Sequence, residues 1–102
     1  MRVISKKKLK SFWIKHARSK NSLCKWYKIV SKAQWTSLAD IRETFPHADQ
    51  VKTAKGNRVI VFNVGGNEFR IISAIHYQSA IVFILDVLTH AEYNRYDWKN
   101  KF

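Results

Sequence analysis

His90 and Tyr93 are the side chains near the end of the chain best suited to proton transfer. A histidine titrates near neutral pH and can act as an acid or a base, and a tyrosine can donate a proton or stack on a nucleobase. Thr89 and Glu92 have the spacing of a capping box, which predicts a short helix from His90 to about Tyr96. Its first backbone amides would favour an anion. The alternatives are an exposed first-turn histidine and a tyrosine packed in the core.

A hairpin is predicted shortly before this helix. Val59–Val64 and Glu68–Ile75 are apolar, β-branched segments typical of strands. Gly65 and Gly66 between them accept the positive φ values of a tight turn. We therefore expect a hairpin with a two-residue loop.

Three polar side chains, Asn63, Glu68 and Arg70, would project from one face of that hairpin. A guanidinium can hold two phosphate oxygens at once, so Arg70 is a candidate phosphate ligand. The alternative is a structural ion pair between Arg70 and Glu68. Asn63 and Asn67 could bind phosphate or base edges, although an asparagine beside two glycines also serves turn conformation.

Positive charge is concentrated at the start of the chain. Residues 1–39 contain eleven Lys and Arg and no Asp or Glu, whereas residues 40–102 contain eight basic and seven acidic residues. A concentrated positive field attracts polyanions and releases their counterions on contact, which predicts nucleic-acid binding. The alternative is a solubilising face that binds nothing specific.

Two amphipathic helices are predicted to carry this charge. The first runs from a cap at Ser5 to about Arg18, and the second follows a cap at Asn21 or Ser22. Tryptophans lie on both apolar stripes, which favours core packing over base stacking for them. The stripe residues are Leu9, Phe12, Trp13, Ala17, Leu23, Trp26, Tyr27 and Val30.

The complete pattern predicts an α+β domain, with N-terminal helices packed on one face of a small antiparallel or mixed sheet and a short C-terminal helix. Residues 1–102 are expected to form a single domain. A strand at Ile81–Leu88, apolar on both faces except at Asp86, is expected beside the hairpin.

Cys24 is the only cysteine, which excludes an intrachain disulfide and a Cys-rich zinc site. We expect no metal or small-molecule cofactor, no membrane association and a cytoplasmic location.

Three segments resemble the HigB toxins of bacterial toxin–antitoxin pairs, a branch of the RelE/ParE superfamily. They are LADIRETFPHADQV (38–51), VFNVGGNEFRII (61–72) and VLTHAEYN (87–94), and the resemblance covers nearly the whole chain in order and length. It implies a RelE/ParE-like fold. It also implies a ribosome-dependent, metal-independent endoribonuclease that cleaves translated mRNA and is neutralised by a HigA-like antitoxin.

RNA cleavage without a metal uses the ribose 2′-hydroxyl as nucleophile, so the protein must position the strand, move protons and stabilise the charged phosphorane. The resemblance points to Arg70 for the phosphorane, because RelE-like toxins carry an arginine on this strand. His90 and Tyr93 complete the expected catalytic set. The expected RNA-binding residues are Asn63, Asn67, Lys55, Arg58, Tyr96, Lys99, Lys6, Lys7, Lys8 and Lys10.

The sequence departs from the lysine-rich site of the better-known RelE pattern at one place. The strand that leads into the hairpin carries Asn63 and no lysine, while Lys55 and Arg58 come earlier. The identity of the general base therefore stays open. Two other functions also stay open, a non-catalytic RNA- or ribosome-binding module and a ParE-like inhibitor of a protein target such as DNA gyrase.

Overall fold

The computed structural model describes residues 1–95 and 97–102. The strands in this part of the chain are β1 (Arg2–Ile4), β2 (Asp49–Lys52), β3 (Arg58–Val64), β4 (Phe69–His76) and β5 (Ile81–Thr89). The α-helices in the same part are α1 (Lys6–Lys15), α2 (Lys20–Lys32), α3 (Leu38–Thr44) and α4 (His90–Asn94). Short 3₁₀ turns follow α1 at Ala17–Ser19 and α4 at Asp97–Asn100.

The strands form one mixed sheet in the order β1-β5-β4-β3-β2. β1 runs parallel to β5, and the other neighbouring pairs are antiparallel. The predicted α+β class, with a mixed sheet, N-terminal helices and a short C-terminal helix, is confirmed. No helix within residues 1–95 and 97–102 combines the length and the apolar content needed to cross a membrane.

One face of the sheet, here called the helical face, is covered by the N-terminal helices. The apolar stripe of α2 buries Leu23, Trp26 and Val30 there, as its spacing predicts, and α1 buries Leu9. Each such side chain contributes about 1.5–3 kcal/mol on burial. The lysines of both helices are left on the outside of this layer.

The opposite face, here called the C-terminal face, is covered by the end of the chain. Trp98 is buried there against Val59, Val61, Ile72 and Leu88. Tyr93 and Phe102 pack at the margins of the same cluster. Strand alternation directs these β3, β4 and β5 side chains away from the helices.

The first helix is shorter than predicted. It ends at Lys15 rather than near Arg18, because His16 leaves the helical conformation and a 3₁₀ turn follows. Ala17 is consequently exposed instead of extending the apolar stripe. Ser5 precedes the helix with a φ of 73°, and its side chain makes no capping bond.

The hairpin turn is longer than predicted. Val64 pairs with Phe69, so four residues rather than two form the loop. Gly65, Gly66 and Asn67 all have positive φ, at 66°, 62° and 84°. The expected register is therefore wrong by two residues, which keeps Asn63 and Arg70 on one face because the period of a strand is two, but leaves Glu68 in the turn.

The two loop glycines provide a matched test of this turn. A Cβ on Gly65 would lie 2.8 Å from Cδ2 of buried Phe69, whereas a Cβ on Gly66 would meet nothing within 4 Å. Gly66→Ala should lower the free energy of unfolding by the strain of a left-handed alanine alone, about 1–2 kcal/mol. Gly65→Ala should lower it by a further ~1–3 kcal/mol of overpacking. Urea denaturation followed by circular dichroism measures both, and equal losses would contradict this geometry.

Candidate active site

Arg70 lies on β4 next to the hairpin turn and extends over the C-terminal face. Its surroundings are neutral acceptors. Nη1 donates to the carbonyl oxygens of Asn67 (2.9 Å) and Phe69 (3.1 Å), and Nη2 donates to Oδ1 of Asn67 (2.6 Å). A guanidinium has five N–H groups, so some remain to bind a ligand. Arg70 is 6% exposed, and a ligand can therefore meet it only along part of the guanidinium edge.

The expected alternative, an ion pair between Arg70 and Glu68, is wrong. Glu68 belongs to the turn rather than to a strand, and its Oε1 lies 2.7 Å from Nη2 of Arg18. In the part of the chain that the structure describes, Arg70 forms no salt bridge with a carboxylate. Its positive charge is held in place without being cancelled.

Tyr93 and Trp98 form an aromatic wall beside this guanidinium. The Cζ atom of Arg70 lies 5.2 Å from the centroid of the Tyr93 ring. The Tyr93 and Trp98 rings stack with centroids 5.3 Å apart and an angle of 17° between their planes. Nε1 of Trp98 also donates to the carbonyl oxygen of Tyr93 at 3.1 Å. Since Trp98 is anchored in the C-terminal core, it fixes the tyrosine ring against the arginine.

Burial lowers the pKa of the Arg70 guanidinium from its ordinary value, and its electrostatic interaction with Tyr93 acts in the opposite direction. An arginine pKa starts so far above neutrality that the group stays charged. A partly desolvated guanidinium with unused N–H groups is a strong ligand for a phosphate. The site can therefore bind an anion and stabilise added negative charge.

The start of α4 is fixed beside the same turn. Oγ1 of Thr89 accepts from the Glu92 amide at 3.2 Å, and Oε1 of Glu92 accepts from the Thr89 amide at 2.9 Å, which confirms the predicted capping box. The backbone amide of His90 donates to the Glu68 carbonyl at 2.8 Å. Because Leu88 pairs with Arg70 across β4 and β5, His90 follows only two residues beyond the partner of Arg70.

The His90 side chain is exposed, and its Nε2 lies 3.2 Å from Nδ2 of Asn94. When Nε2 carries no proton it accepts from this amide, which places the ring proton on Nδ1. An exposed imidazole at the first position of a helix can exchange protons with solvent or with a bound substrate. The site thus combines a fixed charge, a tyrosine hydroxyl and an imidazole ring at one end of the sheet.

The predicted RNA-binding residues divide into a pair near Arg70, two distant groups and two residues at the end of the chain. Asn63 pairs directly with Arg70 and lies near it, and Asn67 uses its carbonyl and side-chain oxygens to hold Arg70. Lys55 and Arg58 lie at the opposite end of the sheet. Arg58 and Asn63 are five residue steps apart on β3, which corresponds to roughly 17 Å.

The lysines predicted on α1 lie in the helical layer, across the sheet from Arg70. The Nζ atom of Lys6 lies 4.3 Å from the Tyr27 ring centroid, and Nζ of Lys8 donates to the Leu85 carbonyl at 2.8 Å. Lys7 and Lys8 line a groove of about 590 Å³ that reaches Glu92 of α4. Lys10 is exposed on the same helix.

The remaining two predicted residues belong to the end of the chain. The Nζ atom of Lys99 lies 5.8 Å from the Trp98 ring centroid, within the segment that covers the C-terminal face. Tyr96 lies outside the described residues.

The described residues contain no group of three or more His, Cys, Asp or Glu side chains placed to hold a metal ion.

Two contributors to the site were missed in the sequence. Trp98 supports Tyr93, although the sequence around it shows no periodic apolar pattern. Arg18 binds Glu68 from fifty residues away, and only a folded structure reveals such a pair. The five-residue spacing between Tyr93 and Trp98 is the one local signal that could have indicated their contact.

Comparison with known proteins agrees with the segments quoted above. Residues 19–96 match the HigB toxin family, described as the RelE-like toxic component of a toxin–antitoxin system. The chain is 31% identical over 94 residues to the mRNA interferase toxin HigB of Escherichia coli strain K12, covering 92% of this chain and 88% of that protein. The mRNA interferase HigB of Shigella flexneri shows the same identity and coverage. The mRNA interferase HigB of Escherichia coli O6:H1 is 29% identical over 104 residues, covering 99% of each.

The Asn67–Arg70 contact is testable by a double-mutant cycle. Asn67→Gly keeps the left-handed backbone and removes Oδ1, while Arg70→Met removes the guanidinium and keeps an unbranched side chain. Hydrogen bonds to charged groups contribute about 1.5–3 kcal/mol, so the two changes should show a coupling free energy of that size. Urea denaturation of the wild type, both single variants and the double variant gives the value. Additive losses would show that Oδ1 of Asn67 does not help to hold Arg70, since the backbone carbonyl of residue 67 is kept in both variants.

Proposed function

Since the chain belongs to the HigB family of RelE-like toxins, we propose that it is an endoribonuclease that cleaves translated messages on the ribosome. We also propose that cleavage needs no metal and that a HigA-like antitoxin neutralises the toxin. The observation that carries the proposal is the buried, uncancelled charge of Arg70 beside Tyr93 and the start of α4.

The proposed reaction is an internal displacement within the message. The ribose 2′-oxygen forms a bond to phosphorus, and the bond between phosphorus and the 5′-oxygen breaks. One proton leaves the 2′-hydroxyl and one joins the 5′-oxygen. The products are a 2′,3′-cyclic phosphate and a 5′-hydroxyl, and the phosphorane between them carries additional negative charge.

Arg70 has the role of stabilising that phosphorane. Because neutral acceptors already hold its guanidinium, the charge is preorganised and needs no rearrangement when the negative charge develops. The Asn67 contacts also limit rotation of the side chain. Lysine would retain the charge in this role but would lack the planar arrangement of donors.

His90 and Tyr93 have the role of moving protons. His90 is exposed at the first position of α4, beside the turn that holds Arg70. The Tyr93 ring contacts Arg70 and Trp98, and this arrangement favours a contribution from its hydroxyl over stacking on a base.

The lysine-rich helical layer supports the ribosome-dependent part of the proposal. It carries most of the eleven unopposed positive charges of residues 1–39, on the side of the sheet away from Arg70. A toxin that contacts ribosomal RNA through this layer would leave the C-terminal face turned towards the message.

Substitutions in the proposed catalytic set should reduce message cleavage on translating ribosomes. Losing a preorganised charge typically costs on the order of 10²–10³ in rate, so Arg70→Ala should nearly abolish cleavage. His90→Ala should slow it. Tyr93→Phe should also slow it while keeping the ring contacts. Combining either change with Arg70→Ala should add little, because members of one catalytic unit are not additive.

The matched control is Arg42→Ala, which removes an exposed arginine of α3 whose partner is Asp49. Circular dichroism establishes that each variant is folded. Arg70→Lys is a second variant at the same position, in which the buried charge is kept and the planar arrangement of donors is lost. A folded Arg70→Ala protein that cleaves as fast as the Arg42→Ala control would refute this site.

The antitoxin part of the proposal predicts rescue by a partner. A net charge of +12 repels cationic proteins and attracts acidic ones, so a neutralising partner should present an acidic surface to this chain. Co-expression with the protein encoded beside it should restore growth, and the two should elute together from a sizing column at moderate salt. Separate elution would exclude that partner.

A further inference from the structure

A second groove lies on the C-terminal side of the sheet, at the end far from Arg70. It has a volume of about 500 Å³, which is sufficient for part of a nucleotide chain. Its walls include Lys55, Arg58, His76 and Lys101, all of which are exposed. The groove is therefore lined by basic side chains.

Acidic groups do little to cancel this charge. Nζ of Lys101 lies 4.0 Å from Oδ2 of Asp86, a half-buried carboxylate that also accepts from its neighbouring backbone amide. Lys55 and Arg58 form no salt bridge with any carboxylate of residues 1–95 and 97–102. Nζ of Lys55 donates to a neutral group, the Lys101 carbonyl at 3.4 Å, so the charges of Lys55 and Arg58 can attract phosphate groups.

Apolar and aromatic surface lies between these charges. Leu85 and Phe102 line the groove and are each partly exposed. His76 also contacts Phe83 edge-on, with ring centroids 5.3 Å apart. Basic side chains interleaved with aromatic rings are the typical features of a surface that binds single-stranded nucleic acid.

The turn that carries Lys55 is firmly held. The Thr53 amide donates to the Asn57 carbonyl at 2.7 Å, and the Asn57 amide donates to Oγ1 of Thr53 at 3.1 Å. The Ala54 amide donates to the Lys99 carbonyl at 3.0 Å, which ties the turn to the end of the chain. The backbone beneath Lys55 is therefore preorganised, and binding a ligand need not order it.

The groove and Arg70 belong to the same face of one strand. Arg70 and His76 are six residues apart on β4, which corresponds to roughly 20 Å and, by alternation, to the same side of the sheet. Lys99 lies in the segment that crosses between them. The proposed active site and the distal groove are therefore the two ends of one face, joined by the end of the chain.

We propose that this groove is a second subsite for single-stranded RNA, which holds phosphates of the message a few nucleotides away from the bond placed at Arg70. The inference rests on the proposed function. It gives the message a path over the chain end that covers β4, between the hairpin end of the sheet and the Lys55 end. The subsite contributes to binding of long RNA and is beyond the reach of a short oligonucleotide bound at Arg70.

The test compares two oligonucleotides of 2′-O-methyl RNA, in which the nucleophile is blocked. One is short enough to cover the Arg70 end alone, and the other is long enough to span the roughly 20 Å to the groove. Their affinities for the wild type and for Lys55→Gln/Lys101→Gln are measured by fluorescence anisotropy over a range of salt concentrations. Lys28→Gln/Lys32→Gln is the control, because it removes the same charge from exposed positions of α2.

The groove variant should lose affinity for the long oligonucleotide and keep its affinity for the short one. Its salt dependence with the long oligonucleotide should also flatten by about 0.7 for each phosphate that the variant no longer neutralises. The control should change both affinities by the same factor. The subsite would be overturned if the ratio of the affinities for the long and the short oligonucleotide changed equally in both variants. It would also be overturned if the wild-type protein bound the two oligonucleotides equally well or bound neither. Message cleavage on translating ribosomes is measured separately for each variant. It tests the proposed function, so failure of the subsite and failure of that function can be distinguished.

Discussion

The burial of the Arg70 guanidinium is the interaction on which the site depends. A buried charge without partners is strongly unfavourable, and a carboxylate partner would cancel the charge that an anion needs. The structure satisfies both demands with neutral acceptors, since Asn67 and Phe69 supply the oxygens and Tyr93 supplies an aromatic face. Arg70 is therefore stabilised and still positively charged.

The surrounding elements follow from this requirement. The left-handed residues of the hairpin turn bring Asn67 back towards Arg70, and the same turn accepts the His90 amide that fixes the start of α4. β1 pairs only with the first three residues of β5, so the rest of that strand forms an edge of the sheet. Backbone groups along this edge are hydrogen-bonded by side chains of the protein itself. Lys8 caps the Leu85 carbonyl, and Asp86 and Glu92 accept nearby backbone amides. These contacts keep the strand that delivers α4 from pairing with another chain.

Local patterns in the sequence predicted much of the fold. The α2 stripe, the capping box at Thr89 and the strands of the hairpin were all predictable, because each depends on residues close together in the chain. The shared face of Asn63 and Arg70 was also predicted correctly, since a shift of two residues preserves the face. The four-residue turn was not predictable from Gly65 and Gly66, because it depends on a third left-handed residue, Asn67. Contacts across the fold, such as that between Arg18 and Glu68, leave no periodic signal.

The chemistry of the cut ends tests the central claim most directly, namely that Arg70 stabilises attack by the ribose 2′-hydroxyl. Messages cleaved on ribosomes by the wild type are isolated, and both new termini are identified by mass spectrometry. The account predicts a 2′,3′-cyclic phosphate, or the 3′-phosphate formed from it, on one fragment and a 5′-hydroxyl on the other. These ends should be absent with Arg70→Met. A 3′-hydroxyl and a 5′-phosphate would instead show attack by water and would contradict the account.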